Sequence, residues 1–199
     1  MMKLPIEFKK ITGVEIRDYL SELAALRIEV FREWPYLYEG SVDYEARYLE
    51  TYAKNPSSFI VLALINQQVI GAASATTLIH AEEAFKQPMQ AAGIKIEDWV
   101  YFGESVLLSQ FRGRGIGHVF FDAREEWARS IGAKGCCFCA VLREDNHPLR
   151  PAQARDLKPF WHSRGYHQLA MAQAKFSWKD IDQSDESAKM MQIWVKELQ

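Results

Sequence analysis

Apolar and polar residues alternate from Ile6 to Ile11, a period-2 pattern that predicts an opening strand. Beyond it, across residues 14–32, Ile16, Leu20, Leu23, Ala24 and Val30 recur at helical spacing. A proline and aromatic loop at 34–38 separates this helix from a second one expected over 44–52. Two apolar runs, Ser58–Ile65 and Gln68–Thr77, are joined by Asn66 and Gln67 alone, which reads as a tight hairpin. Residues 81–92, rich in Ala, Glu and Gln, predict a short helix, and 99–108 a further strand. The clearest helix follows at 115–131. Its apolar residues Ile116, Val119, Phe120, Ala123, Trp127 and Ile131 keep one face, and Gly132 sits where a C-terminal cap belongs. A strand around 134–142, a polar loop at 143–155, a short helix ending near Arg164 and two strands around 166–178 and 190–198 complete the pattern.

Hairpins at both ends with one strand–helix–strand unit between them predict an α+β sandwich, three layers built on a mixed, mostly antiparallel sheet. No internal repeat or low-complexity linker interrupts residues 1–199, so a single domain is expected. Composition is that of an ordinary globular chain, 48% apolar and 25% charged. The net charge of -2 lacks the basic excess that phosphate-led nucleic-acid binding requires. No apolar run approaches the roughly 20 residues of a membrane helix, and the first ten residues hold no apolar segment long enough for a signal peptide. The cytoplasm is the expected location, with no nucleic acid and no membrane among the partners. A homodimer is left open.

The three cysteines fall at 136, 137 and 139. In a strand Cys137 and Cys139 share one face and Cys136 takes the other. That cannot close a four-ligand zinc site, so buried packing is expected and no metal.

The chemistry concentrates at Arg112, Gly113, Arg114, Gly115, Ile116 and Gly117, where a strand runs through a glycine-rich turn into the long helix. The first N–H groups of a helix lack internal acceptors, and its dipole favours anions there. Alternating glycines let a phosphate approach those amides, and two arginines add charge beside them. The segment therefore reads as a diphosphate cradle. A Walker loop needs Gly-Lys-Ser/Thr at the helix start, but His118 and Val119 follow Gly117. A dinucleotide fingerprint beginning at Gly113 or Gly115 would need glycine at His118 or Phe120.

Arg112-Gly113-Arg114-Gly115-Ile116-Gly117 does match Arg/Gln-x-x-Gly-x-Gly/Ala, and through it the chain resembles the GCN5-related N-acetyltransferase (GNAT) family. The likeness extends over nearly the whole length, including the segment from Phe160 to Tyr166. It implies acetyl-CoA as cosubstrate, with Val106, Leu107 and Leu108 on a splayed strand contacting pantetheine and the Leu107 amide facing the acyl oxygen. It also implies direct attack by a primary amine of a small-molecule or peptide acceptor, without an acyl-enzyme. Glu104 is the candidate base. The competing reading is a Glu paired with a nearby Arg or holding the acceptor's ammonium. Asn146 corresponds loosely to an asparagine that contacts pantetheine in relatives, within a loop longer than the family's usual one. Counting four back from Gly165 reaches Trp161, where the family usually has a proton-donating tyrosine. Indole cannot transfer a proton at neutral pH, so the acid is open, and a non-catalytic acyl-CoA-binding module is the alternative function. A nucleotide-binding domain of another family is a third. Trp34, Tyr36, Tyr38, Glu39 and Tyr44 offer an aromatic face and a carboxylate that could wall an acceptor pocket, with ordinary packing at the corner the favoured reading for at least some of them.

Overall fold

The computed structural model describes residues 5–199. Residues 1–4, part of the stretch read for a signal peptide, lie outside the described residues. The elements run β1 (Glu7–Thr12), α1 (Leu20–Phe31), α2 (Val42–Lys54), β2 (Ser58–Ile65), β3 (Gln68–Thr77), α3 (Glu83–Ala91), β4 (Trp99–Tyr101), β5 (Ser105–Leu107), α4 (Ile116–Ser130), β6 (Gly135–Val141), α5 (Lys158–Ser163), β7 (His167–Lys179) and β8 (Glu186–Glu197). One mixed sheet carries all eight strands in the order β1-β2-β3-β4-β6-β8-β7, with β5 also on β3.

Strand β2 is buried along almost its whole length because both faces are covered. Phe59, Val61 and Ala63 join the core beneath α4, while Ile60, Leu62 and Leu64 join the core under α1 and α2. The β2–β3 turn places Asn66 and Gln67 at positive φ, the geometry that matches the twist of a two-residue hairpin. On β6 the alternation continues. Cys136 packs with the α4 core and Cys137 with a third cluster under α3, so the cysteines divide between faces as expected.

The predicted N-terminal helix over 14–32 is shorter than its apolar spacing suggested. Gly13 at φ +48 and a bond from the Thr12 N–H to the Glu15 carboxylate (3.0 Å) start a 3-10 segment, Gly13–Tyr19, and the α-helix begins only at Leu20. The last strand starts at Glu186 rather than 190, because the long β7–β8 hairpin pairs Lys179 with Glu186.

The difference that matters most lies in the expected strand 99–108, which is two strands. Strand β4 runs antiparallel to β3 and parallel to β6, and the Phe102 N–H reaches Cys137 O at 2.8 Å. Past that bond the chain keeps to β3 alone, with Ser105, Val106 and Leu107 opposite Ala73, Ala72 and Gly71. A gap therefore opens between β5 and the far end of β6. Gly103 sits at the break, where a Cβ would come within 2.3 Å of Tyr52 Oη and 2.7 Å of Ser74 Oγ, so any larger residue must displace them.

Candidate active site

The glycine turn meets α4 at the mouth of this gap. Gly113 and Gly115 have φ of +76 and +81, which disfavours other residues, and a Cβ at either would point into open space. Gly115 is the cap of α4 and offers no side-chain acceptor, so the first N–H groups of the helix remain available to an anion. Ile116 is buried in the core, which anchors the turn. At Gly117 a Cβ would rest on Phe160 at 3.5 Å, an ordinary contact. The Arg114 guanidinium donates to Gln110 O (3.1 Å) and lies over Phe111. Arg112 donates from Nε to Leu107 O (3.1 Å) and pairs with Glu33 at 2.6 Å, linking the turn to both β5 and the end of α1. Both arginines flank the cradle, but each is engaged by its own neighbours.

The hydrogen bonds from Ser74 N to Glu104 O and from Leu108 N to Ile70 O, each 3.0 Å, turn the main chain of residues 104, 106 and 108 toward β3. By alternation, the N–H and C=O of Ser105 and Leu107 point away from β3, into the gap. Val106 plugs the core under α1 and α2, while Leu107 and Leu108 are half-buried beside it. Leu107 thus lies between the break and the glycine turn, which Arg112 ties to it through Leu107 O.

Glu104 stands on the α1–α2 side of the break, buried in a charged cluster. Its Oε2 pairs with Arg27 Nη1 at 2.6 Å and accepts the Tyr48 hydroxyl at 3.2 Å, while Arg27 Nε pairs with Glu45 at 2.5 Å. The arginine-paired reading of Glu104 is therefore the arrangement observed. Burial works against the charge on Arg27, but Glu104, Tyr48 and Glu45 outweigh it and hold its pKa well above the ordinary value. Glu45 is fully buried, and among the described residues its Oε1 makes no hydrogen bond, although the carboxylate is close enough to Tyr38 to add to burial in raising that phenol's pKa. Burial also raises the tyrosines nearby: Tyr52 to about 12, Tyr48 and Tyr101 well above the ordinary phenol value, and Tyr36 likewise. They are proton donors at neutral pH. Tyr48, Tyr52, Thr76, Phe85, Tyr101 and Phe176 line a cleft of about 680 Å³ next to Glu104.

Of the five residues read as possible walls of an acceptor pocket, none lines this cleft; Glu39 pairs with Arg32, and Tyr44 stacks on Tyr48 at its edge. Tyr36 is packed between Phe31 and Trp178, Trp34 lies against His147, and Tyr38 faces Tyr44. The cleft draws instead on Tyr48 and Tyr52, four residues apart on α2 and therefore on one helical face. Trp161 packs edge-on against Phe138 and Trp194. Tyr166 is buried with its hydroxyl 3.3 Å from Glu125. Asn146 is exposed in a turn, with no side-chain hydrogen bond among the described residues. In the same loop His147 packs at a tilt against Trp34, and Arg143 is locked to Asp180.

Sequence reasoning missed Arg27, Glu45, Tyr48, Tyr52 and Arg124. Their signal is a charge or phenol within an apolar helical stripe, as with Glu45, Leu49 and Tyr52 on α2.

Among the described residues no helix is long and apolar enough to cross a membrane, and no cluster of three metal-ligating side chains occurs. A family model described as the acetyltransferase (GNAT) family matches residues 23–155. No curated protein matches the chain in sequence. Several solved structures are similar over nearly their full length. An N-acetyltransferase from Staphylococcus aureus, 10% identical, aligns over 98% of this chain and 99% of its own with a TM-score of 0.62. An aminoglycoside 6′-N-acetyltransferase complexed with coenzyme A is 15% identical over 96% of each chain, with a TM-score of 0.61. The PaiA N-acetyltransferase of Thermoplasma acidophilum, also with coenzyme A, is 16% identical over 98% and 100%, with a TM-score of 0.56. At such identities the likeness shows the shared fold.

Proposed function

Because this chain belongs to the GNAT family of acetyltransferases, we propose that it works as one domain that moves an acetyl or short acyl group from coenzyme A to a primary amine. The observation that carries this reading is the open gap between β5 and β6, which ends on the glycine turn of α4. Residues 113–117 would hold the coenzyme's diphosphate through main-chain N–H groups, and the outward main chain of Ser105 and Leu107 would line its pantetheine arm. Acetyl-CoA supplies the acyl group when bound. The Leu107 N–H then faces the acyl oxygen, a donor fixed in advance where negative charge develops.

The acceptor enters from the cleft lined by Tyr48, Tyr52 and Tyr101, and its amine attacks directly in a ternary complex. An alkylammonium has a pKa of about 10.4, so a proton must be removed at neutral pH. Glu104 is the group we assign to that role. Its Oε2 is occupied by Arg27 and Tyr48, and Oε1 has no hydrogen-bond partner among the described residues. The same oxygen suits the acceptor's ammonium before the proton leaves. Tyr48, Tyr52 and Tyr101, all protonated at neutral pH, are phenols lining this cleft, on the sheet face opposite the core in which Trp161 packs.

A second reading, an acyl-CoA-binding module that transfers nothing, rests on Trp161 being packed as core where the family usually has a tyrosine. Free-thiol release from acetyl-CoA across an amine library separates the two. We expect release with cationic amines of apolar body, matching the aromatic cleft. Saturable acetyl-CoA binding without release for any amine favours the module. No binding at all overturns both.

A further inference from the structure

Arg124 is a charge placed inside the apolar stripe of α4, one turn from Phe120 and one from Ala128, and it is fully buried. Burial disfavours the cation and holds its pKa down at about 10, so it remains protonated at neutral pH. A buried guanidinium is ordinarily matched by a carboxylate. Here every hydrogen-bond partner is neutral. Nε donates to Phe120 O (3.1 Å), Nη1 to Ser74 O (3.3 Å) and Glu104 O (3.2 Å), and Nη2 to Ser105 Oγ (2.9 Å). The guanidinium carbon lies 4.2 Å from the Phe102 ring centre and 4.9 Å from that of Phe121.

These partners share one location. Phe102 makes the chain's last bond to β6, Glu104 and Ser105 are where it leaves β6, and Ser74 is the β3 residue it leaves with. Ser74 O already accepts the Gly103 N–H at 3.2 Å, and Glu104 O accepts the Ser74 N–H at 3.0 Å. Arg124 adds a second donor to both carbonyls. It therefore ties β3 and β5 together from the α4 side at the break itself. An apolar side chain of the same volume would fill the space without the cost of burying an unmatched charge. The fork is spent on the break instead.

We propose that Arg124 is a positioning residue for acyl transfer, clamping residues 103–105 so that the Leu107 N–H stays aimed into the gap at the acyl oxygen held there. The inference rests on the transferase reading above and names a residue through which that reading works.

The test is infrared difference spectroscopy of bound acetyl-CoA labelled with carbon-13 at the thioester carbonyl, which requires no acceptor. In the wild-type protein the carbonyl band should lie below its frequency in free acetyl-CoA, as expected for an oxygen facing a donor fixed in place. Arg124→Met, checked by circular dichroism, should bind acetyl-CoA with little change in affinity while the band returns toward the free value. Arg124→Lys keeps the charge but not the fork, and its band should fall between the two. If Arg124→Met does not fold, Arg124→Lys carries the comparison alone. A folded variant of either kind with the wild-type band would overturn the proposal, as would a wild-type band equal to that of the free thioester. Failure of the wild-type protein to bind acetyl-CoA is a different outcome, and it would sink the transferase reading itself.

Discussion

Two of the buried ionic clusters among the described residues hold charge in opposite proportions. Around Asp180 two cations serve one carboxylate. Arg143 grips it with both nitrogens at 2.7 and 3.0 Å, and Lys189 approaches at 3.4 Å. The spare donors of Arg143 go to Pro35 O and Tyr36 O, and those of Lys189 to Trp178 O and Ser187 O. Around Arg27 two carboxylates share one cation, and Glu45 Oε1 makes no hydrogen bond among the described residues. Desolvated charge is costly unless its hydrogen-bonding capacity is met. The Asp180 cluster meets it, and it pins the 34–38 corner to the β7–β8 hairpin. The Arg27 cluster does not, and it borders the cleft beside the break. A saturated cluster serves the fold, while an unsaturated one keeps a deficit of positive charge that a bound ammonium can fill.

The largest effect expected from this contrast is on stability. Asp180→Ala leaves Arg143 and Lys189 buried without their carboxylate, which should cost about 3–5 kcal/mol and lower Tm by roughly ten degrees or more. A melting curve close to wild type would break the contrast. Next, Glu104→Gln should reduce kcat by about a hundredfold, within the usual range for a lost general base, while calorimetry finds acetyl-CoA affinity retained. An unchanged pH–rate profile would remove Glu104 as the base. A smaller change is expected from Glu45→Gln. It removes the excess negative charge beside Arg27, so stability should stay within about 1 kcal/mol of wild type while KM for a cationic amine rises. Unchanged KM would mean that the deficit does not attract the acceptor.

The smallest effect is on acid stability. Burial would raise the Asp180 pKa, but the hydrogen bonds and charge of Arg143 and the charge of Lys189 win and lower it. A folded pKa below the unfolded value of about 3.9 means that the unfolded chain binds more protons near that pH. The contribution of Asp180 is therefore complete above about pH 4 and is lost as pH falls through the folded value. The acid limb of stability below that point should be shallower in Asp180→Asn. An identical limb would place the linkage elsewhere.

Much of the scaffold was legible because its signals are local. The β2–β3 hairpin shows in the apolar runs on either side of Asn66 and Gln67, and α4 shows in its stripe and closing glycine. The glycine turn that opens α4 was legible for the same reason, in the spacing of glycines at 113, 115 and 117. The break at 102–104 was not. Residues on both sides favour extended structure, and only Gly103 marks the interruption, for a reason that lies in Tyr52 and Ser74 far along the chain. The ionic clusters were hidden in the same way. Arg27 lies 18 residues from Glu45, and Arg143 lies 37 from Asp180, so pairing is decided by the sheet. A charge within an apolar stripe hints at burial but does not name its partner.

The central claim is that main-chain amides at 113–117 hold the diphosphate of coenzyme A while the gap beside β5 takes the thioester arm. Titration calorimetry of acetyl-CoA into the wild-type protein and into Gly117→Glu tests it most directly, because a side chain at Gly117 meets only an ordinary contact with Phe160. The account predicts saturable heat for the wild type, none for the variant, and similar melting curves for the two. Equal affinity in both proteins, or no heat in either, would contradict it.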